Sequence, residues 1–346
     1  MISTSPCSFV SDPEQLAHIL GIPQESLAAV HHTYPLRISS YYLELIKQYG
    51  APLWRQMIPD IKELEDTSGF VDPLNEENLS PVPGLVHKYP GQALFLVSDQ
   101  CACYCRFCTR KRKVGKAEMS INKETIDAGI NYLKKNPSIY DVLLSGGDPF
   151  MLTDQCLENL LASLRRIPSI AIIRIGTRIP CTFPFRVTKR FAAMLKKYHP
   201  LYINTHFNHP AEVTPEAALA CQYLADAGIP LACQTVLLRG INDSPELLKQ
   251  LFLRLLKIRV RPYYLFQMDL TRGTSHFRTD IDTGQSIMHT LIGDIPGMAL
   301  PTYALDAPGG GGKIPLTPNF IEKRDNHIEF TPPLGKTCSY PTCFKS

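Results

Sequence analysis

Three cysteines, Cys101, Cys105 and Cys108, stand in a C-x3-C-x2-C pattern inside the stretch DQCACYCRFC. A cubane iron–sulfur cluster held entirely by protein takes four thiolates. Three thiolates on one tight loop therefore leave one iron open to an external molecule. A zinc knuckle would need a histidine or a fourth cysteine at finger spacing, and none lies nearby. Cys103, inside the same loop, reads as a structural thiol. A second segment, SGGDP at 145–149, follows an apolar run. Its Gly146 and Gly147 let the backbone approach a ligand closely, and its carbonyls can accept from an ammonium group. On the plainer reading the segment is a turn, with Asp148 capping a helix that begins near Leu152.

A third candidate is Gly-Gly-Gly-Gly-Lys at 309–313. It is not a phosphate-binding P-loop, because Ile314 replaces the required Ser or Thr, and Pro315 and Pro318 forbid the helix that should follow. The glycines can present Lys313 on a bare backbone beside a planar partner. An accessible lysine in a cavity is what a Schiff base with pyridoxal phosphate (PLP) requires. A solvated lysine on a flexible loop is the alternative.

The elements that must position these residues recur with a regular beat. Apolar runs occur at QALFLVSD, YDVLLSGG, IAIIRIGTR, LYINTHF, PLACQTVLL and RPYYLFQ, and starts at Asp141, Ala171, Leu201, Leu231 and Arg261 are spaced by 30 residues. Helical patterns such as CLENLLASLRR and TKRFAAMLKKY lie between them. Short buried runs alternating with amphipathic helices indicate βα units on a parallel sheet. Equal spacing without a dinucleotide fingerprint favours an α/β fold of the partial (β/α)6 TIM-like barrel kind, with its site at the strand C-termini. The cysteine loop, SGGDP, THFNHP and FQMD all fall there.

Composition sets outer limits. The chain has 346 residues, 44% hydrophobic and 20% charged, with a formal net charge of +4 and 11 cysteines. That is the profile of a folded globular protein. No run approaches the length of a membrane span and the N-terminus has no signal pattern, so a cytoplasmic protein without membrane contact is expected. The basic residues Arg110, Lys111, Arg112, Lys113 and Lys116 lack interleaved aromatics and read as a solvated face, so no nucleic acid is expected. Clustered cysteines in such a chain bind metal or do chemistry more often than they form disulfides.

The cysteine loop, with Tyr104, Phe107 and Arg110 around it, resembles the signature of the radical S-adenosylmethionine (SAM) superfamily. From about Arg37 to about Pro332 the motifs VPGLVHKYP, DQCACYCRFCTRKRKVG, LLSGGDP, INTHFNHPAEVT, QTVLLRGINDS, RPYYLFQMDLTRGTSHFRT and DAPGGGGKIPL together resemble the lysine 2,3-aminomutase family. The resemblance implies a helical region over 1–90, a radical SAM core over 91–298 and a C-terminal segment with the PLP lysine over 299–346. It implies that Cys101, Cys105 and Cys108 hold a [4Fe–4S] cluster, that Lys313 bears PLP, and that Gly146, Gly147, Asp148, His206 and Gln234 lie at SAM. It further implies that Arg110 takes the carboxylate of free L-lysine and that Asp269 and Asp306 take its ε-ammonium, giving L-β-lysine.

A cation fixed at both ends suits abstraction of hydrogen from its β-carbon. Two aspartates would repel the anionic side chain of the glutamate 2,3-aminomutases' substrate. Related aminomutases that make β-lysine for elongation factor P tend to lack the full DAPGGGGK segment. A non-catalytic iron–sulfur or nucleic-acid-binding module would have no need of Lys313. A reduced flavodoxin- or ferredoxin-type donor and a homo-oligomer are the implied partners. Two positions depart from the family. Gln92 stands where a basic residue usually meets the PLP phosphate. Ser244 replaces one zinc-ligand cysteine of long members, leaving Cys338 and Cys343, so zinc is not expected.

Overall fold

The computed structural model describes residues 8–323, 327–330, 335 and 337–341. Its centre is a curled nine-stranded sheet in which chain order is also spatial order. Counting from the N-terminus, the short strands β1 (Phe9–Val10) and β2 (Ile38–Ser39) pair separately, and the large sheet begins with β3 (Leu85–Tyr89), antiparallel to β4 (Gln92–Ser98). From β4 the sheet runs parallel through β5 (Asp141–Gly146), β6 (Ile172–Gly176), β7 (Leu201–Thr205), β8 (Leu231–Leu237) and β9 (Val260–Gln267). These six strands are the six apolar runs of the sequence.

The wall then continues. Strand β10 (Thr302–Ala307) adds in parallel to β9, and β11 (Gly312–Pro315) turns back antiparallel to it. The segment read as a separate C-terminal piece thus begins as the edge of the barrel wall. A small sheet of β12 (Ile321–Lys323), β13 (His327–Phe330) and β14 (Cys338–Pro341) follows. Cys343 lies outside the described residues.

The helices take the other face. Five precede the large sheet: α1 (Pro13–Leu20), α2 (Gln24–Thr33), α3 (Ser40–Tyr49), α4 (Ala51–Met57) and α5 (Lys62–Glu65). Between strands run α6 (Lys123–Lys135), α7 (Asp154–Arg165), α8 (Ile179–Thr182), α9 (Lys189–Lys196), α10 (Pro215–Asp226), α11 (Pro245–Lys257) and α12 (Ile281–Leu291). The long crossover helices start on side-chain caps: Asn122, Thr153, Thr188, Thr214, Ser244 and Asp280 each accept from the backbone N–H three residues on. Ser244 therefore has a local duty at the head of α11. The buried stripe Leu157, Leu160, Leu161 and Leu164 of α7 shows the helical period that faces these elements inward. None of the described helices is long and apolar enough to cross a membrane.

The strands alternate instead of burying both faces. In β8, Leu231, Cys233, Thr235 and Leu237 are buried under helices, while Ala232, Gln234 and Val236 are only partly covered. A closed barrel fills its interior with side chains. This open wall leaves its concave face lined but unfilled.

Candidate active site

The cysteine loop leaves β4 and is pinned by the N-terminal helices. Tyr104 N donates to Arg37 O (2.8 Å) and Arg106 N donates to Gln56 O (2.8 Å). Arg106 is buried and places Nε and Nη2 on Glu63 of α5 at 2.9 and 2.6 Å. Lys111 Nζ reaches the same carboxylate at 2.6 Å and Gly273 O at 2.9 Å. Arg37, Gln56 and Glu63, all ahead of the large sheet, thus clamp this loop.

Cys101, Cys105 and Cys108 are partly accessible and unbridged. Burial pushes the Cys101 thiol well up, and that of Cys108 up to about 11. Thiols in such a setting ionise when a metal takes them. Among the described residues no three His, Cys, Asp or Glu side chains close around one metal ion. A [4Fe–4S] cluster takes its thiolates on separate irons, so three thiols on an eight-residue loop can hold one. Cys103 turns the other way: it is buried and its Sγ accepts from Ser39 N at 3.3 Å.

Sequence reasoning missed Arg178. Its buried guanidinium donates to Cys105 Sγ (2.7 Å), Gln56 Oε1 (2.6 Å) and Glu212 Oε1 (2.8 Å). Nothing in GTRIP distinguishes this arginine from a surface one; its partners come from three distant segments.

The SGGDP segment closes against the start of the cysteine loop. Gly147 N donates to Ser98 O (2.6 Å) and Asp148 N to Gln100 O (2.7 Å). A Cβ on Gly146 would meet Ser98 O at 2.2 Å, and one on Gly147 would meet Gln100 O at 2.3 Å. These glycines are required by chain-to-chain approach. Asp148 does not cap α7, which begins at Asp154 under Thr153. It caps the short turn Pro149–Met151 and accepts from Thr177 Oγ1 and Arg178 N, both at 2.7 Å. Burial raises its carboxyl to about 6.

His206 follows β7, bonds Asn208 Oδ1 (3.0 Å) and lies against Phe107 with ring centres 5.6 Å apart. Burial, then the Arg178 charge, lowers it to about 3, so its imidazole is neutral. Nearby, the buried Asn204 Nδ2 has no partner among the described residues. An orphan donor at a strand C-terminus marks a place for a ligand's acceptor.

Inside the wall lies a cavity of about 720 Å3 whose lining includes Gln234, Glu76, Arg174, Tyr264, Asp306 and Lys313. Asp306 and Lys313 are direct cross-strand partners on β10 and β11, and Lys313 Nζ sits 3.1 Å from both Asp306 carboxylate oxygens. Gly309, Gly310 and Gly312 have φ of 71°, 87° and 99°, so the glycine run is a shaped turn. Asp269 follows β9. Burial, and then the Asp306 charge, raises its carboxyl to about 7. Arg110, largely enclosed, faces Gly146 O at 3.5 Å. The fold thus gathers Lys313 and Asp306 as a bonded pair, with Asp269 within reach of their charges.

Comparison with known proteins follows from this geometry. Residues 95–251 match the family model of the radical SAM superfamily, and 288–328 match that of lysine-2,3-aminomutase. L-lysine 2,3-aminomutase of Fusobacterium nucleatum is 47% identical over 321 residues, 92% of this chain and 76% of that protein. The Clostridium subterminale enzyme of the same name is 48% identical over 301 residues, 86% and 72% respectively. Glutamate 2,3-aminomutase of Clostridioides difficile is 43% identical over 317 residues, 90% and 75%.

The open parallel wall and its three-thiol loop are those of a radical SAM enzyme, a class that carries a [4Fe–4S] cluster and uses SAM. Within it, the chain belongs to the lysine 2,3-aminomutase family. Lysine and glutamate relatives differ little in identity, so the choice of substrate rests on side chains.

Proposed function

We propose that the protein interconverts L-lysine and L-β-lysine, with PLP carried on Lys313. The observation behind the substrate is the Asp269–Asp306 pair. Two carboxylates lie beside Lys313, and burial, then the Asp306 charge, keeps the Asp269 proton on to about pH 7 although Lys313 and Lys88 oppose it. An incoming ammonium relieves that repulsion, whereas the side-chain carboxylate of glutamate deepens it.

The residues fit PLP. Lys313 opens on the cavity, and the stacked rings of Tyr264 and Phe266, 4.9 Å apart, give a planar wall with Lys313 Nζ 5.3 Å from the Phe266 ring. Arg174 and Lys88 line the same space as Gln92, so cations for a phosphate remain although position 92 is neutral. When bound, the cluster, SAM and PLP supply a carbon radical and a conjugated ring through which an amino group can migrate.

The chain's own residues do the holding. Arg110 takes the α-carboxylate and the aspartates take the ε-ammonium, and fixing both ends fixes the β-carbon between them. Asp306 keeps the Lys313 amine ion-paired while that amine is free. Gly146, Gly147, Asp148 and His206, at or just beyond strand ends, border the SAM side, with Cys101, Cys105 and Cys108 on the cluster; Gln234 is instead mid-strand on β8 and lines the same cavity as Lys313. A flavodoxin- or ferredoxin-type reductant delivers the electron.

The test is anaerobic reconstitution with iron, sulfide and PLP, then SAM, reductant and either lysine or glutamate. β-Lysine is the expected product. β-Glutamate instead, or neither with both cofactors loaded, overturns the reading. Borohydride treatment of the loaded protein should place a phosphopyridoxyl mass on the Lys313 peptide; the same label retained in Lys313→Ala removes the PLP assignment.

A further inference from the structure

The Arg110 guanidinium is already engaged. Its Nε and Nη2 edge is forked onto Glu76, at 2.8 Å to Oε2 and 2.5 Å to Oε1. Both side chains are largely enclosed, at 15% and 11% exposure. Only Nη1 is loosely held, 3.4 Å from Ser145 Oγ and 3.5 Å from Gly146 O.

Glu76 belongs to a strap that crosses from the cysteine loop to the glycine turn. At one end Asp72 and Glu77 pair with Arg112, and Glu77 with Lys113. At the other, Gly309 N donates to Pro73 O (3.1 Å) and Asn75 Nδ2 donates to Gly309 O (3.3 Å). Within it, Ser80 Oγ donates to Glu76 O at 2.6 Å and Leu79 N to Asn75 O at 3.2 Å. The backbone that carries Glu76 is thus tied on both sides of it.

We propose that Glu76 is a positioning and specificity-determining residue that holds Arg110 in one orientation and leaves only its Nη1 end for a substrate carboxylate. A free guanidinium would meet a carboxylate through whichever edge gave two bonds. With the Nε edge occupied, the carboxylate docks end-on and in one plane, so the atom next to it is placed too. The restraint works against raw affinity. The Glu76 charge offsets that of Arg110, and an arriving anion meets a nearly neutral pair. Orientation and affinity therefore oppose each other at this residue, which a purely structural ion pair would not produce.

The inference rests on the reading of Arg110 as the carboxylate site, and the experiment separates the two. In the PLP- and cluster-loaded enzyme without reductant, lysine and 1,5-diaminopentane are titrated by the absorbance of bound PLP. The diamine has lysine's ammonium end and no carboxylate. Turnover is then measured with SAM and reductant. Glu76→Gln should bind lysine roughly 3- to 10-fold more tightly and turn over at least about tenfold more slowly, with diamine binding within about twofold of wild type. Glu76→Asp keeps the charge but is too short to fork; it should lose turnover without tightening, and it covers the case in which the glutamine variant fails to fold. Unchanged lysine affinity and turnover in Glu76→Gln overturns the proposal, as does an equal shift for lysine and the diamine. If the wild-type enzyme binds the diamine but not lysine, the carboxylate site itself is misassigned and Glu76's role falls with it.

Discussion

Asp269 shows how burial and charge, more than hydrogen bonding, set the character of this site. In the folded protein its carboxyl keeps a proton up to about pH 7, whereas an ordinary aspartate loses it near 4. Between those values the folded state binds more protons than the unfolded chain, so this residue's contribution to stability falls as pH rises. Asp269→Asn removes that penalty. The variant should be more stable than wild type at pH 8 by about 1–3 kcal/mol, with the gap narrowing toward pH 5, while lysine turnover is lost. Denaturant unfolding at the two pH values checks this; a gap that does not change with pH would show that Asp269 is not held protonated. Before substrate arrives, Asp306 is ion-paired with Lys313, whereas at Asp269 burial and the Asp306 charge outweigh Lys313 and Lys88, which makes Asp269 the more demanding of the pair.

At the scale of elements, the hairpin of β10 and β11 decides whether Lys313 is useful. Asp306 and Lys313 face each other because the turn between them closes in register, and Gly312 makes the last step of that turn at φ 99°. A Cβ there is strained by the backbone and would also stand 3.2 Å from Tyr89 Oη, the atom that accepts from Lys313 N. Gly309 has nothing within 4 Å of such a Cβ. Gly312→Ala should therefore lose PLP stoichiometry, with a stability cost of about 1–3 kcal/mol, whereas Gly309→Asn should keep both close to wild type. Full PLP content and unchanged melting in Gly312→Ala would disprove the account.

The same hairpin marks the limit of what could be read beforehand. The six strands from Gln92 to Gln267 were legible because each is an apolar run, and the five from Asp141 onward recur at a near-constant interval. The strand Thr302–Ala307 was not legible as a seventh rung, because its membership depends on β9, thirty-odd residues back across α12. The three-cysteine pattern and the Gly-Gly-Gly-Gly-Lys run stood out because each is a local motif. Glu63, Glu76 and Arg178 were not, since each acquires its role only from partners 34 or more residues distant.

At the scale of the whole molecule, the N-terminal helices and the cysteine loop form one body, and Glu63 is the joint. Its side chain is fully enclosed and carries two cations, Arg106 from the middle of the loop and Lys111 from its exit. Its carboxyl is held below the ordinary glutamate range by Arg106 and Lys111, against the cost of burial. Burial also lowers Lys111 to about 8, so the pair of cations is tolerated only while that carboxylate is there. Glu63→Gln keeps the shape and removes the charge, leaving two buried cations uncompensated. Breaking one buried pair costs about 3–5 kcal/mol, and a shared carboxylate should sit at the upper end. The loop that would relax is the one bearing Cys105 and Cys108. The variant should therefore melt roughly 5–7 °C below wild type and, after anaerobic reconstitution, retain less iron per chain at temperatures where it is still folded. Loss of iron without any drop in melting would place the cluster's dependence elsewhere. A drop in melting with full iron retention would show that the helices stabilise the barrel without shaping its cysteine loop.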